Sequence, residues 1–434
     1  MKQLSRLKEM KFSQIFFWLF LLSIPWNKRI IYNPEHAYID GYFSYYLAFF
    51  LYISDILLGI TLIAYIVEQR AMWRWPKLSK NHILWPILGL FCVILVGMFH
   101  VQHDLTWSSY SVLKSLELGL LVWFVARGTP NSLKQSALIL YLSGIFQAIV
   151  AIWQFHVQHG LGLSWIGEYI APLGTGGLAT IENAGGKLVR AYGTFPHPNI
   201  LGFFLCLALI LGYYLIVSRE TSQKLRNFII FGDYLLIVGI CLTFSRVSWV
   251  IAAFATLSFL LYLRRHEKWL KLAILLPAIV SCGTILILWH GLLFNRIANI
   301  ETSNSYNQRV ELNTAGLDIT KKYPVFGNGL GNYIPVMKHM FHMEPWEYQP
   351  PHNVFIYIAA SLGVVGLGFL LWILGIIFWS GWNSPASDWK FTLLVLGCSL
   401  LFVSMFDHFP VTIQQGQLIF GLILGLILAY AQKT

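Results

Sequence analysis

An all-α polytopic membrane protein with about twelve transmembrane helices is the fold class that three features of the chain predict. Only 11% of its 434 residues are charged, against 57% hydrophobic, where a soluble domain carries roughly 25% charged residues to coat its surface. Mean hydropathy is +0.63. Apolar stretches recur along the whole length, most of them close to the ~20 residues a helix needs to cross a bilayer. A soluble enzyme of this size is excluded, as are disordered and fibrous chains.

The spans fall near 13–26, 43–67, 83–99, 111–126, 135–156, 199–217, 228–243, 247–263, 272–289, 353–379, 391–406 and 416–431. The first follows Lys2, Arg6, Lys8 and Lys11 and could pass for a signal peptide. No small-residue cleavage site follows it, so it is expected to stay as an uncleaved helix. Lys and Arg concentrate on the side shared with the N-terminus, in segments 1–11, 68–82, 127–134, 218–227 and 264–271. Positive loops stay cytoplasmic, so both termini are expected there. The net charge of +11 therefore reflects topology and not a nucleic-acid stripe. All five cysteines lie in apolar runs with no close pair, as small buried hydrophobes do.

The whole chain, 1–434, reads as a single integral membrane domain with two long far-side loops, 157–198 and 290–351. Long loops in compact proteins carry function or lack order. In the second, Leu312, Ala315 and Ile319 recur at helical spacing and predict an amphipathic helix over 307–320. Pro324 and the glycine run at 327–331 should end it. This large loop is expected to carry the active-site residues.

Far-side arginines are the most informative candidates. Arg246 stands in Thr243-Phe-Ser-Arg-Val-Ser-Trp249, where one span ends and the next begins. An arginine at membrane depth is costly and marks an anion or a polar cavity. Arg190 precedes Ala-Tyr-Gly-Thr-Phe-Pro-His-Pro-Asn199, and Arg309 heads the amphipathic helix. Three guanidinium forks facing one cavity suit pyrophosphate, though a local carboxylate such as Glu311 or a lipid headgroup is the ordinary partner of any single one. His352 follows Pro350-Pro351 at a helix start, which fixes the imidazole at the membrane surface. A neutral imidazole there can accept a proton from an attacking hydroxyl.

Weaker signals are set against their bland readings. His-Val-Gln-His occurs at 100–103 and 156–159, and His339 and His342 repeat the spacing. Without carboxylates or thiols nearby, these read as interfacial histidines, and no metal site is expected. Glu344 and Glu347 read as loop surface. Lys114 and Glu117, one turn apart, read as a buried ion pair, and Asp55 is an unexplained acid. No Walker or Rossmann motif appears, which argues against ATP or nucleotide-sugar use, and no cofactor is expected.

Taken in order, four stretches resemble the O-antigen ligase and polymerase family of bacterial membrane glycosyltransferases. They are Arg190-Ala-Tyr-Gly-Thr-Phe-Pro-His-Pro-Asn-Ile-Leu-Gly202, Ser245-Arg-Val-Ser-Trp249, Arg309 with Pro324 and Gly327-Asn-Gly-Leu-Gly331, and His352-Asn353 with Gly363. The resemblance implies a GT-C-like helical fold with a periplasmic active site. It implies a donor glycan on undecaprenyl pyrophosphate, and transfer to an acceptor hydroxyl with inversion and without a metal. By that resemblance Arg246 and Arg309, with Arg190, would bind the donor pyrophosphate. His352 would be the general base, and Asn353 and His197 would support it.

Ligases place glycan on lipid A–core, polymerases join repeat units on lipid carrier, and a third branch glycosylates proteins; all share these motifs. The layout favours a ligase, with a polymerase as the alternative. A transporter or flippase is the alternative from another class. It would show related halves and midplane charges, whereas the polar residues here gather at one face.

Overall fold

The computed structural model describes residues 11–32, 34–69, 83–100, 105–128, 133–183, 186–264, 267–298 and 304–431. Lys2, Arg6, Lys8 and most of the first His-Val-Gln-His lie outside them. The protein is an all-α polytopic membrane protein. Its helices begin with α1 (Phe12–Ser23), α2 (Ile53–Gln69), α3 (Leu84–His100), α4 (Leu105–Gly128), α5 (Leu133–Val157), α6 (Pro198–Val217), α7 (Gln223–Leu242), α8 (Arg246–Tyr262) and α9 (Lys268–Ala298). After α10 (Asn304–Lys322) and α11 (Tyr333–Met340) come α12 (Val354–Asn383), α13 (Asp388–Phe406), the short α14 (Phe409–Thr412) and α15 (Gln414–Ala431). Each of the twelve expected spans coincides with one of these helices. Eight are long and apolar enough to cross a bilayer, while α1, α2, α3 and α8 are shorter.

The second span differs from expectation at its start. Residues 43–52 are not helical: β4 (Phe49–Tyr52) pairs antiparallel with β1 (Arg29–Tyr32), and β2 (Tyr38–Ile39) pairs with β3 (Tyr42–Phe43). The run is apolar because it is aromatic, and aromatic side chains suit a pleated surface better than a helix. The ninth span is longer than expected, reaching Ala298 through a break at Trp289.

Helix α6 is the axis of the bundle. It is apolar all round, which is the pattern of a helix buried on every side, and nearly all of it is buried among α5, α7, α8 and α13. Outer helices α4 and α9 turn large apolar side chains such as Leu113, Leu120 and Leu286 outward, as a lipid-facing surface requires.

The long segment before α12 is ordered as expected. Leu312, Ala315 and Ile319 bury one face of α10, which packs on the start of α12, where a Cβ on Gly316 would meet Pro351 and Ile356. Beyond α10 the glycine run docks into a break in α12. Gly363 has φ +68° there, and a Cβ would stand 2.0 Å from the Val325 oxygen. The break frees the carbonyls of Ala360 and Ser361, which accept from the amides of Asn328 and Gly329 at 2.9 Å, while Val364 N–H donates to the Pro324 oxygen at 2.8 Å. An apolar environment offers no water to satisfy such groups, so the loop does it. The segment 158–197 holds the hairpin β5 (Thr180–Asn183) and β6 (Gly186–Val189), and ends on the cap of α6.

Candidate active site

The site forms at one end of the bundle, where helix starts and ends from distant parts of the chain meet. His352 precedes α12, and Asn353 caps that helix by accepting from the amides of Phe355 and Ile356 at 2.8 and 3.1 Å. Its own amide donates to the Met405 oxygen at 3.1 Å, which ties the start of α12 to the end of α13. The next element after α13 is Asp407-His408. His352 Nδ1 lies 3.6 Å from Asp407 Oδ1, and the rings of His352 and His408 are 5.3 Å apart.

Asp407 is buried and well supplied with donors. Its Oδ1 accepts from the His408 amide at 2.9 Å, and its Oδ2 accepts from Asn199 Nδ2 at 2.9 Å. Burial would raise its pKa, but the imidazole of His352 beside it, with Arg309 beyond, holds the carboxyl well below the usual carboxylate range. His408 Nδ1 meets Thr412 Oγ1 at 2.6 Å, and burial lowers its pKa to about 3 despite the adjacent carboxylate. His197 caps α6, its Nδ1 accepting from the Asn199 amide at 3.1 Å, and burial together with Arg190 lowers its pKa to about 3 as well. Both rings are therefore neutral near pH 7.

Asn199 links this group to the arginines. Its Oδ1 accepts from Arg190 Nη2 at 2.8 Å, and Arg190 Nε donates to the Thr243 oxygen at 2.6 Å. Residues 243–245 form the turn between α7 and α8, and Phe244 adopts a left-handed φ of 49°. That conformation is costly for an aromatic residue. It lets two successive carbonyls of one turn meet two arginines, since Arg296 Nε donates to the Phe244 oxygen at 3.3 Å. Arg246 begins α8 immediately after the turn. Burial first, then the charges of Arg296, Arg309 and Arg246, bring Arg190 down to about 9. Four guanidinium groups thus repel one another across a small space. Among the described residues none of them pairs with an acid, Glu311 included.

The structure brings together every residue expected at the site: Arg190, His197, Arg246, Arg309, His352 and Asn353. Sequence reasoning missed Arg296, Asp407 and His408. Asp407-His408 stand before Pro410 between two apolar runs, and an acid beside a histidine at a span end was the available signal. Among the described residues, the second His-Val-Gln-His makes a local contact instead. His159 Nδ1 meets the Gly160 oxygen at 2.8 Å, and Glu344 and Glu347 close a local turn. His352, Asp407 and His408 present potential ligand atoms within 4.8 Å of one another, looser than the roughly 4.2 Å that two ligands about 2.1 Å from one ion can span.

A sequence-family model described as "O-Antigen ligase" matches residues 231–372, from within α7 into α12. The chain is also 23% identical over 368 residues to a protein of Salmonella typhimurium (strain LT2) named "O-antigen ligase", an alignment covering 81% of this chain and 82% of that one.

Proposed function

We propose, for a chain that these likenesses support as a member of the O-antigen ligase family and hence a glycosyltransferase-type enzyme, a specific reaction at this site. The protein moves a finished glycan from undecaprenyl pyrophosphate to a hydroxyl of lipid A–core, on the periplasmic face of the inner membrane. The observation that carries the reading is the cluster of four arginines, without acidic partners among the described residues, beside a histidine–aspartate pair.

Each part has a physical role. Arg246, Arg309 and Arg190, joined by Arg296, hold the donor pyrophosphate, whose charge grows as the bond from the anomeric carbon to the phosphate oxygen breaks. Fixed cations aimed at developing charge stabilise the transition state more than the ground state. His352 takes the proton of the acceptor hydroxyl as its oxygen attacks the anomeric carbon from the opposite face, so the new glycosidic bond forms with inversion. Asp407 orients the imidazole and stabilises the imidazolium. Every step is accounted for by side chains, and transfer is expected to persist in EDTA.

The test is a gel profile of lipid-linked and surface glycans in wild type, a deletion strain, and the deletion carrying His352→Ala. Long polymer stranded on undecaprenyl pyrophosphate in both mutant strains, and absent from lipid A–core, is the expected result. Single repeat units in place of long chains would mean a polymerase instead. A wild-type profile from His352→Ala would overturn the assignment of the base.

A further inference from the structure

A second polar feature lies next to the site, and the proposed mechanism does not use it. A cavity of about 110 Å³ opens between the β-structured segment before α2, the start of α4, α11 and the α14–α15 corner. Tyrosines are prominent in its walls, among them Tyr45, Tyr46, Tyr110 and Tyr333, and none of the four arginines lines it. At its base Lys114 Nζ bridges Asp55 Oδ2 at 2.6 Å and Glu117 Oε2 at 2.9 Å, and Gln414 donates to Asp55. Asp55, unexplained in the sequence, is therefore the second carboxylate on one ammonium. The Tyr333 hydroxyl is buried and has no hydrogen-bond partner among the described residues. A buried unpaired hydroxyl on a residue that lines a cavity calls for a ligand or ordered water. The cavity also touches the catalytic group: Thr412, in its wall, bonds His408, and the Tyr46 ring packs on His408 at 5.6 Å.

We infer that this cavity is a subsite for a neutral sugar ring of the acceptor glycan, an inference that rests on the function proposed above. Tyrosine faces accept the C–H face of a sugar ring, and a few convergent polar groups in an otherwise aromatic wall fix its orientation. Two carboxylates against one ammonium make the base unfavourable for a phosphate, so hydroxyls are the groups it suits. The space holds several water molecules, and thus one ring and not a chain. Arginines receive the donor's anion at one flank of the His352–Asp407–His408 group, and tyrosines receive the acceptor at another.

The experiment uses the full-length protein in lipid nanodiscs, wild type and Tyr333→Phe, a change that removes one hydroxyl and leaves the ring. The binding probe is the lipid-free core oligosaccharide from a strain lacking the protein, followed by saturation-transfer NMR without donor. The expected result is binding by the wild type and at least fivefold weaker binding by Tyr333→Phe. In transfer assays the acceptor KM should rise by the same factor while the donor KM stays put. Equal binding by both proteins, no binding by the wild type, or a change confined to the donor KM overturns the subsite. Inactivity of the wild type with a lipid-pyrophosphate donor, while oligosaccharide binding holds, would instead overturn the proposed reaction.

Discussion

His352 and Asp407 meet across 55 residues of chain at 3.6 Å, the histidine at the start of one membrane helix and the aspartate at the end of the next. Asn353 fastens the same two helix ends through the Met405 carbonyl. The two helix ends that carry the pair are thus tied together directly beside it.

Replacing Asp407 by Asn keeps the shape and the contact with Asn199 but removes the charge. Transfer should fall roughly 10²–10⁴-fold, the range for loss of a well-placed acid–base partner. Because its pKa is held below the ordinary carboxylate value, Asp407 contributes stability at any pH above about 4, and loses it only as pH falls through its own lower value. The carboxylate is therefore ionised throughout neutral pH. A rate–pH profile should show the variant depressed at every pH between about 5 and 8; recovery of wild-type rate anywhere in that window would contradict the role.

His197 and His408 act in the same direction as Asp407 but over a higher pH window. Their folded pKa values, about 3, lie below the unfolded value near 6.5, so the unfolded chain binds more protons between these limits. Stability is complete above pH 6.5 and declines as pH falls towards 3. The melting temperature in nanodiscs should drop between pH 7 and 5, and His408→Gln should flatten that slope. An unchanged slope would show that His408 is not buried as a neutral ring.

Gly363→Ala places a methyl group against the Val325 carbonyl, where no side chain can yield. It also forces an L-residue into a φ of +68° with extended ψ. Such a clash costs more than about 2 kcal/mol. The expected outcome is a lower melting temperature together with loss of transfer. A fully active and equally stable variant would mean that the loop does not need the break.

Much of this was legible in the chain because membranes constrain it so tightly. Apolar runs announce helices, and every charge among them needs a reason, which is why Arg246 and His352 stood out. Residues 43–52 misled because hydropathy measures burial and not backbone shape, and Tyr and Phe are as apolar in a strand as in a helix. Asp407 was hidden for a different reason. It stands 55 residues after His352, and only the antiparallel packing of α12 and α13 brings the two together. Arg296 was visible only as one charge in a loop until the break at Trp289 carried α9 beyond the expected span.

The docking of residues 324–331 into α12 makes one mechanical part out of two. Arg309 is carried on α10, which runs into that loop, and His352 introduces the helix that receives it. Any rotation of α10 is transmitted to α12 through four backbone hydrogen bonds and the close-packed Gly327 and Gly363, and cannot be absorbed by a slack connection. Arg309 and His352, in the proposed reaction the cation at the leaving group and the base at the acceptor, consequently share a rigid mount. Their separation is set when the chain folds, before either substrate arrives.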